Sequence, residues 1–208
     1  MAIKNYNELN SLEMDTLREI GSMGTGNAAT ALSQMLGREV RITLPEVQIM
    51  GYNEAIEWIG GPEEITAGVL VKMGGQVNGI MLSCQQLDFV NLVLESVMDQ
   101  RIDDYSQLAE MENSCLIEVG NIMISTFINA LSGLAGMDIT LTVPAFTVDM
   151  QGAILAVPMA EYGGQSDYIM TIGGNFVCDN KQVPCRLLMS PDLRSLNALL
   201  RKLGVSDG

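Results

Sequence analysis

The most constraining feature of this chain is an internal duplication. Each half contains an acidic or hydroxyl residue, a glutamate four positions later, a third polar residue three positions after the glutamate, and a proline 23 positions further along. These residues are Asp15, Glu19, Ser22 and Pro45 in the first copy and Ser114, Glu118, Asn121 and Pro144 in the second. Because all these matches share one offset of 99 residues, the two halves should form related structural units.

The composition is that of a globular protein with an acidic surface. The 208 residues are 48% hydrophobic, which is enough to bury a substantial core. The formal net charge is −14 and the lysines and arginines form no cluster, so nucleic-acid binding is excluded. The acidic charge also disfavours anionic membranes and favours a protein partner with a basic or mixed-charge surface.

The cysteine and histidine content argues against a metal centre. The chain has no histidine, and its four cysteines form no C-x-x-C pair, so no zinc site is expected. The first twelve residues are polar and lack the apolar stretch of a signal peptide. We therefore expect a cytoplasmic protein with reduced, buried thiols.

One uncharged segment, residues 119–137, is nearly long enough to span a membrane. Polar residues recur along it at helical spacing, at Asn121, Ser125, Asn129 and Ser132. This pattern predicts an amphipathic helix and no membrane insertion.

Hydrophobic periodicity and turn residues predict a similar order of elements in both halves. In the first half they are a helix at about 12–36, a strand at 40–44, strands at 65–73 and 77–83 joined by a tight turn at Gly74-Gly75, and a helix at 85–98. In the second half they are a helix at about 107–134, strands at 139–148, 153–158, 168–177 and 183–189, and a final helix that begins at Ser190-Pro191 with the serine as N-cap.

Three strands with one apolar face cannot bury that face alone, so the halves should share a core. We expect one α+β domain over residues 1–208, built from two pseudo-symmetric helix–three-strand–helix repeats at about 12–98 and 107–203. The long helices should pack on an antiparallel sheet.

On the second long helix, residues three and four positions apart form two stripes. The polar stripe consists of Ser114, Glu118, Asn121 and Ser125. The apolar stripe, which should pack on the sheet, consists of Leu116, Val119, Met123, Phe127 and Leu134. A solvated helix face carries the same polar residue types, but repetition of the glutamate at the same register favours a functional site.

Glycines follow the glutamates at Gly21 and Gly120, although a glycine inside a helix costs roughly 1 kcal/mol relative to alanine. Either the bare backbone admits another molecule, or it packs closely against a strand; both explanations stay open. The glycines at 21, 24 and 26 follow no predicted strand, so a dinucleotide site is rejected.

A glutamate and an asparagine without histidine are a weak set of groups for acid–base chemistry. A carboxamide can hold a water molecule through one donor and one acceptor, and a carboxylate can pair with a lysine on a partner. Such a pair suits a reaction whose labile bond and metal ion both lie on the partner.

The motif resembles that of the CheC family of chemotaxis phosphatases, a group that includes CheX and FliY. Ser114, Glu118, Asn121 and Pro144 fit its pattern completely, and the segment GNAATALS at 26–33 is also characteristic. The resemblance implies hydrolysis of the aspartyl-phosphate on the response regulator CheY, with the deamidase CheD as a binding partner. It implies that Asn121 orients the attacking water and that Glu118 pairs with the regulator's lysine. Magnesium would be held by the regulator, and the chain would need no cofactor of its own.

The first copy departs from the pattern because Ser22 stands where the family has asparagine. Glu19 is the corresponding catalytic glutamate, with Asp15 and Pro45 as supporting residues, but a serine hydroxyl lacks the donor–acceptor pair of an amide. We expect this first site to be weak or inactive.

Two other functions remain open. The surface could bind phosphorylated CheY or CheD without turnover, or the chain could be a flagellar scaffold component. FliY carries a further switch domain after the motif region, whereas this chain ends at Gly208, which disfavours that assignment. CheX proteins carry one motif and dimerise, and since the duplication makes dimerisation unnecessary, a monomer is expected.

Overall fold

The computed structural model of the protein describes residues 3–164, 166–179 and 181–205. The α-helices are α1 Ser11–Leu36, α2 Tyr52–Ile59, α3 Leu87–Met98, α4 Glu110–Ala135, α5 Gln151–Tyr162 and α6 Leu193–Lys202. The strands are β1 Arg41–Gly51, β2 Ile65–Gly75, β3 Gly79–Gln85, β4 Ile139–Leu141, β5 Ala145–Met150, β6 Tyr168–Cys178 and β7 Lys181–Pro191. Short 3₁₀ helices at Tyr6–Glu8 and Tyr105–Gln107 precede α1 and α4.

The two long helices of the duplication both form, each with 26 residues, and α4 begins three residues later than predicted. Helix α1 begins with a reciprocal pair of hydrogen bonds. The Asn10 side-chain oxygen accepts from the main-chain N–H of Glu13, and the Glu13 carboxylate accepts from the main-chain N–H of Asn10. Both helices end at a glycine in the left-handed conformation, Gly37 with φ 62° and Gly136 with φ 58°. These local signals set equal lengths for the two helices.

The strands form one antiparallel sheet in which the two repeats exchange their first strands. In the described part of the chain the order is β1-β6-β7-β3-β2, with β4 and β5 both on the far edge of β2. Strand β1 of the first repeat pairs with β6 of the second, and β5 of the second repeat pairs with β2 of the first. The repeats therefore share one sheet, and the α+β fold expected from the sequence is confirmed.

Helices cover both faces of the sheet. The larger core lies between the sheet and the layer of α1, α3, α4 and α6, and includes Leu116, Ile124 and Phe127. A smaller core on the opposite face lies under α2 and α5 and includes Ile59 and Leu155. Within the described residues, only α4 is long and apolar enough for a membrane span by composition. Half of its most apolar window is buried inside this fold, where it packs against α1 and the sheet.

Helices α2 and α5 were not predicted, and the strand expected at 153–158 is wrong because these residues belong to α5. A short apolar run does not distinguish a strand from a buried helix by periodicity. Here Ile154, Leu155 and Pro158 are buried on one helical face. Helices α2 and α5 occupy matching positions in the two repeats and contact each other.

The motif proline interrupts an edge strand in both repeats. In β1 the pairing register shifts between Thr43 and Glu46, on either side of Pro45. The single strand expected at 139–148 is instead divided into β4 and β5, and Pro144 lies in the gap. Proline has no N–H to donate to a strand ladder, so it is tolerated at edges and bulges.

The final helix begins two residues later than predicted. Ser190 and Pro191 close β7, and the N-cap is Asp192, whose carboxylate accepts a bond from the Ser195 amide at 2.6 Å. The four cysteines are all free and buried, as expected.

Candidate functional site

The second copy of the motif lies on the outer surface of α4. Ser114 and Glu118 are exposed, and Asn121 is half-buried. Glu118 and Asn121 are three residues apart, so their side chains are neighbours on one helix face. Within the described part of the chain, neither side chain has a hydrogen-bond or ion-pair partner. A carboxylate and a carboxamide are therefore both available to another molecule at this point.

The opposite face of α4 is buried as expected, with one exception. Leu116, Val119, Met123 and Phe127 are at most 2% exposed, whereas Leu134 is 44% exposed. The prediction for Leu134 is wrong because the buried ridge continues through Leu131 and Ala135, one turn apart. Part of this face packs on α1 rather than on the sheet, since a Cβ atom on Gly24 would lie 2.4 Å from the Phe127 ring.

The glycines of the motif are packing positions. A Cβ atom on Gly21 would lie 2.1 Å from Val47 Cγ2, and one on Gly120 would lie 2.6 Å from Val69 Cγ2. Both glycines are buried, each on the side of its helix that faces a strand. Of the two explanations left open by the sequence, close packing against a strand is the one observed.

The first copy lies on α1 with a different set of contacts. Asp15, Glu19 and Ser22 are all exposed. The Asp15 carboxylate forms an ion pair with the Arg18 guanidinium at 2.8 Å. The residue of α4 that matches Arg18 is Ile117. Glu19 has no side-chain partner within the described residues. The first copy thus keeps a free glutamate but lacks the amide next to it.

Each polar stripe is headed by an exposed apolar residue that the sequence did not single out. Leu12 is 58% exposed and Met111 is 70% exposed. They occupy matching positions, three residues before Asp15 and Ser114 respectively. Val143, next to the half-buried motif proline, is 87% exposed. Because isolated exposed apolar side chains are common, only the repetition of Leu12 and Met111 marks them as candidate docking contacts.

The groups at the site supply positioning and charge. Among the described residues, no group of three or more histidine, cysteine, aspartate or glutamate side chains is arranged to hold a metal ion. Cys115, next to Ser114 in the sequence, is buried, and burial raises the pKa of its thiol. It is not a nucleophile for this surface.

Comparison with known proteins points to one group. The CheC-like family model matches residues 12–49 and 111–148, which are the two copies of the motif. The CheY-P phosphatase CheC of Bacillus subtilis is 25% identical over 205 residues, covering 97% of this chain and 98% of that protein.

Solved structures share the fold. FliY of Thermotoga maritima superposes with a TM-score of 0.74 at 20% identity, covering 95% of this chain and 98% of that chain. A CheX-CheY-BeF3-Mg2+ complex from Borrelia burgdorferi matches with a TM-score of 0.53 at 18% identity, covering 84% of this chain and 96% of that chain. Both copies of the motif match the CheC-like family model, the chain is similar over almost its whole length to a CheY-P phosphatase CheC, and it shares its fold with these solved structures.

Proposed function

We propose that this protein hydrolyses the aspartyl-phosphate of a CheY-type response regulator, with Glu118 and Asn121 as the working site. The observation that carries the proposal is a carboxylate and a carboxamide on the outer face of α4, three residues apart, for which the described part of the chain supplies no side-chain partner. The Bacillus subtilis relative is named a CheY-P phosphatase, which supports phosphatase activity at the level of the family.

In this mechanism Asn121 acts on the water molecule. Its amide N–H donates to the water and its carbonyl accepts from it, so the water oxygen is held in line with the scissile P–O bond. Attack forms a new bond from the water oxygen to phosphorus and breaks the bond to the aspartate oxygen. The products are the free aspartate carboxylate and inorganic phosphate, which takes up or releases the water proton according to pH.

Glu118 acts on the regulator. Its carboxylate pairs with a lysine beside the phosphorylated aspartate, which docks the two proteins and fixes the position of Asn121. In this proposal the regulator would hold the metal ion, which would supply neutralisation of the charge on the phosphoryl group. The CheX relative was solved with CheY, BeF3 and Mg2+, which supports a shared mode of binding.

The remaining partners follow from the same proposal. We expect the deamidase CheD to bind this chain, and we expect the chain to act in the cytoplasm as a monomer because both repeats already share one sheet. Ser22 offers no amide, so the first site contributes little hydrolysis.

The test is phosphate release from a response regulator phosphorylated by a small acyl phosphate, with and without this protein. Asn121→Ala should abolish most of the acceleration, because water orientation is lost, while Ser22→Ala should change it little. Equal losses in the two variants would contradict the assignment. Retained binding of the phosphorylated regulator with no acceleration by the wild type would favour a binding module instead.

A flagellar scaffold function is the second candidate, supported by the similarity of the fold to FliY. It predicts stable co-assembly with components of the flagellar switch. It also predicts that assembly is indifferent to Glu118→Ala and Asn121→Ala, which the phosphatase function is not.

A further inference from the structure

A buried amide lies directly behind the second stripe. Gln85, the last residue of β3, is 1% exposed, and its Nε2 donates to the carbonyl oxygen of Leu116 at 3.0 Å. In a regular α-helix that carbonyl already accepts from the N–H of the residue four positions later, Gly120. Gln85 therefore gives the Leu116 carbonyl a second hydrogen bond, which ties this turn of the α4 backbone to the sheet.

This bond depends on the motif glycine. A Cβ atom on Gly120 would lie 2.9 Å from Gln85 Nε2, so an amide fits there only because residue 120 has no side chain. Gly120 stands between Glu118 and Asn121 in the sequence. The anchored turn is thus the turn that carries both candidate functional groups.

Gln85 is itself held in place. Its backbone is paired opposite Ala67 in the β2–β3 ladder, and its main-chain oxygen accepts from the Tyr105 hydroxyl at 2.9 Å. Burial raises the pKa of Tyr105, so the hydroxyl remains protonated and donates this bond through the physiological range. The Gln85 amide therefore projects toward α4 from a fixed backbone.

The first repeat keeps the tyrosine and lacks the amide. Tyr6 precedes Tyr105 by 99 residues, and its hydroxyl donates to the main-chain oxygen of Pro191. Pro191 matches Gln85, since each is the last residue of its strand and each is followed by the N-cap of the next helix. A proline side chain has no donor for α1. The repeat without the anchor is also the repeat in which Ser22 replaces asparagine.

The amide is costly where it stands. Within the described residues its Oε1 atom is buried without a hydrogen-bond partner, and a buried acceptor left unsatisfied lowers the stability of the fold. A leucine would fill similar space without that cost. Since this buried amide lowers stability, its presence at residue 85 calls for a functional explanation. Orientation of the α4 turn above it is such an explanation.

We propose that Gln85 is a positioning residue of the second site, which fixes the turn of α4 so that Glu118 and Asn121 present one geometry to the regulator. This inference rests on the proposed phosphatase function. In-line attack by an oriented water needs the reacting groups held to within about 0.5 Å of the productive geometry. Gln85 acts through the helix and does not touch the substrate.

Gln85→Leu tests the role, with Asn197→Leu as matched control. Asn197 is also a buried amide, and from α6 it bonds both main-chain groups of Ile3, away from the second stripe. Phosphate release is measured against regulator concentration, together with denaturant unfolding and amide hydrogen exchange. In Gln85→Leu, kcat should fall on the order of tenfold with KM little changed, because only transition-state positioning is lost. Hydrogen exchange should rise at residues 118–121 and not at residues 19–22.

The control should lose stability without loss of kcat. If Gln85→Leu does not fold, Gln85→Met removes the donor with a closer match of shape. Unchanged kcat in the folded variant, in an assay where Asn121→Ala is inactive, overturns the role of Gln85 and leaves the phosphatase function intact. Full activity of Asn121→Ala overturns the assignment of the working site to Asn121, and the role of Gln85 with it, whereas no acceleration by the wild type overturns the phosphatase function.

Discussion

Gly120 lies against Val69 so closely that a Cβ atom on the glycine would come within 2.6 Å of Val69 Cγ2. This contact sets the height of α4 above the sheet at the turn that carries Glu118 and Asn121. It also explains why a glycine is retained in the middle of a long helix, where its intrinsic propensity is poor.

Gly120→Ala should therefore destabilise the protein. Overpacking against Val69 costs about 1–3 kcal/mol, while removal of a helix glycine returns up to about 1 kcal/mol. We expect a net loss of up to about 3 kcal/mol in the free energy of unfolding, measured by denaturant titration. Gly133→Ala is the control on the same helix, because a Cβ there meets nothing within 4 Å. It should raise stability, and a similar fall in both variants would refute the packing argument.

Ser22→Asn should restore function to the first site. In an Asn121→Ala background we expect the second site to be silent, so any phosphate release would report on the first site. We expect partial recovery, because the introduced amide can hold a water beside Glu19 while Pro191 still offers no anchor to α1. No recovery above the Asn121→Ala level would mean that Ser22 is not the cause of the weak first site.

Glu95 should make stability depend on pH. Its carboxylate bonds Lys181 at 2.6 Å and Arg101 at 2.8 Å, and these two partners lower its pKa from the ordinary value of 4.5. A lowered pKa in the folded state contributes stability above the unfolded value, and this contribution disappears as pH falls through the folded value.

Glu95→Gln should then lower the free energy of unfolding at pH 7 by less than about 1 kcal/mol, since the cationic partners are exposed. The difference from wild type should vanish in strong acid. Glu63→Gln, at an exposed glutamate without an ion pair among the described residues, is the control. A Glu95→Gln deficit that persists unchanged at low pH would show that charge is not its origin.

The thiols of Cys84 and Cys185 should be unreactive in the native protein. Both are fully buried, and burial raises the pKa of each to about 12. Because the thiolate is the reactive form, a colorimetric disulfide reagent at pH 8 should label neither until denaturant is added. Fast labelling of both without denaturant would contradict the buried positions.

Some elements of the fold could be predicted from the sequence and others could not. The long helices, the outward stripe at Ser114, Glu118 and Asn121, and the shared α+β core were predictable, because helical periodicity and glycine caps are properties of neighbouring residues. Helix α5 was missed because residues 153–158 fit a strand or a buried helix equally well, and their contacts with α2, β5 and β2 form only in the folded chain.

The sequence alone determined the duplication, the register of the glutamate and amide on the second long helix, and the loss of that amide at Ser22. Each of these depends on spacing along the chain. The tertiary structure decided that β1 and β5 exchange between repeats, that Gly120 is a packing contact, and that Gln85 lies beneath the turn that carries Asn121. These facts join residues far apart in the chain, and only the folded packing brings such residues within bonding distance.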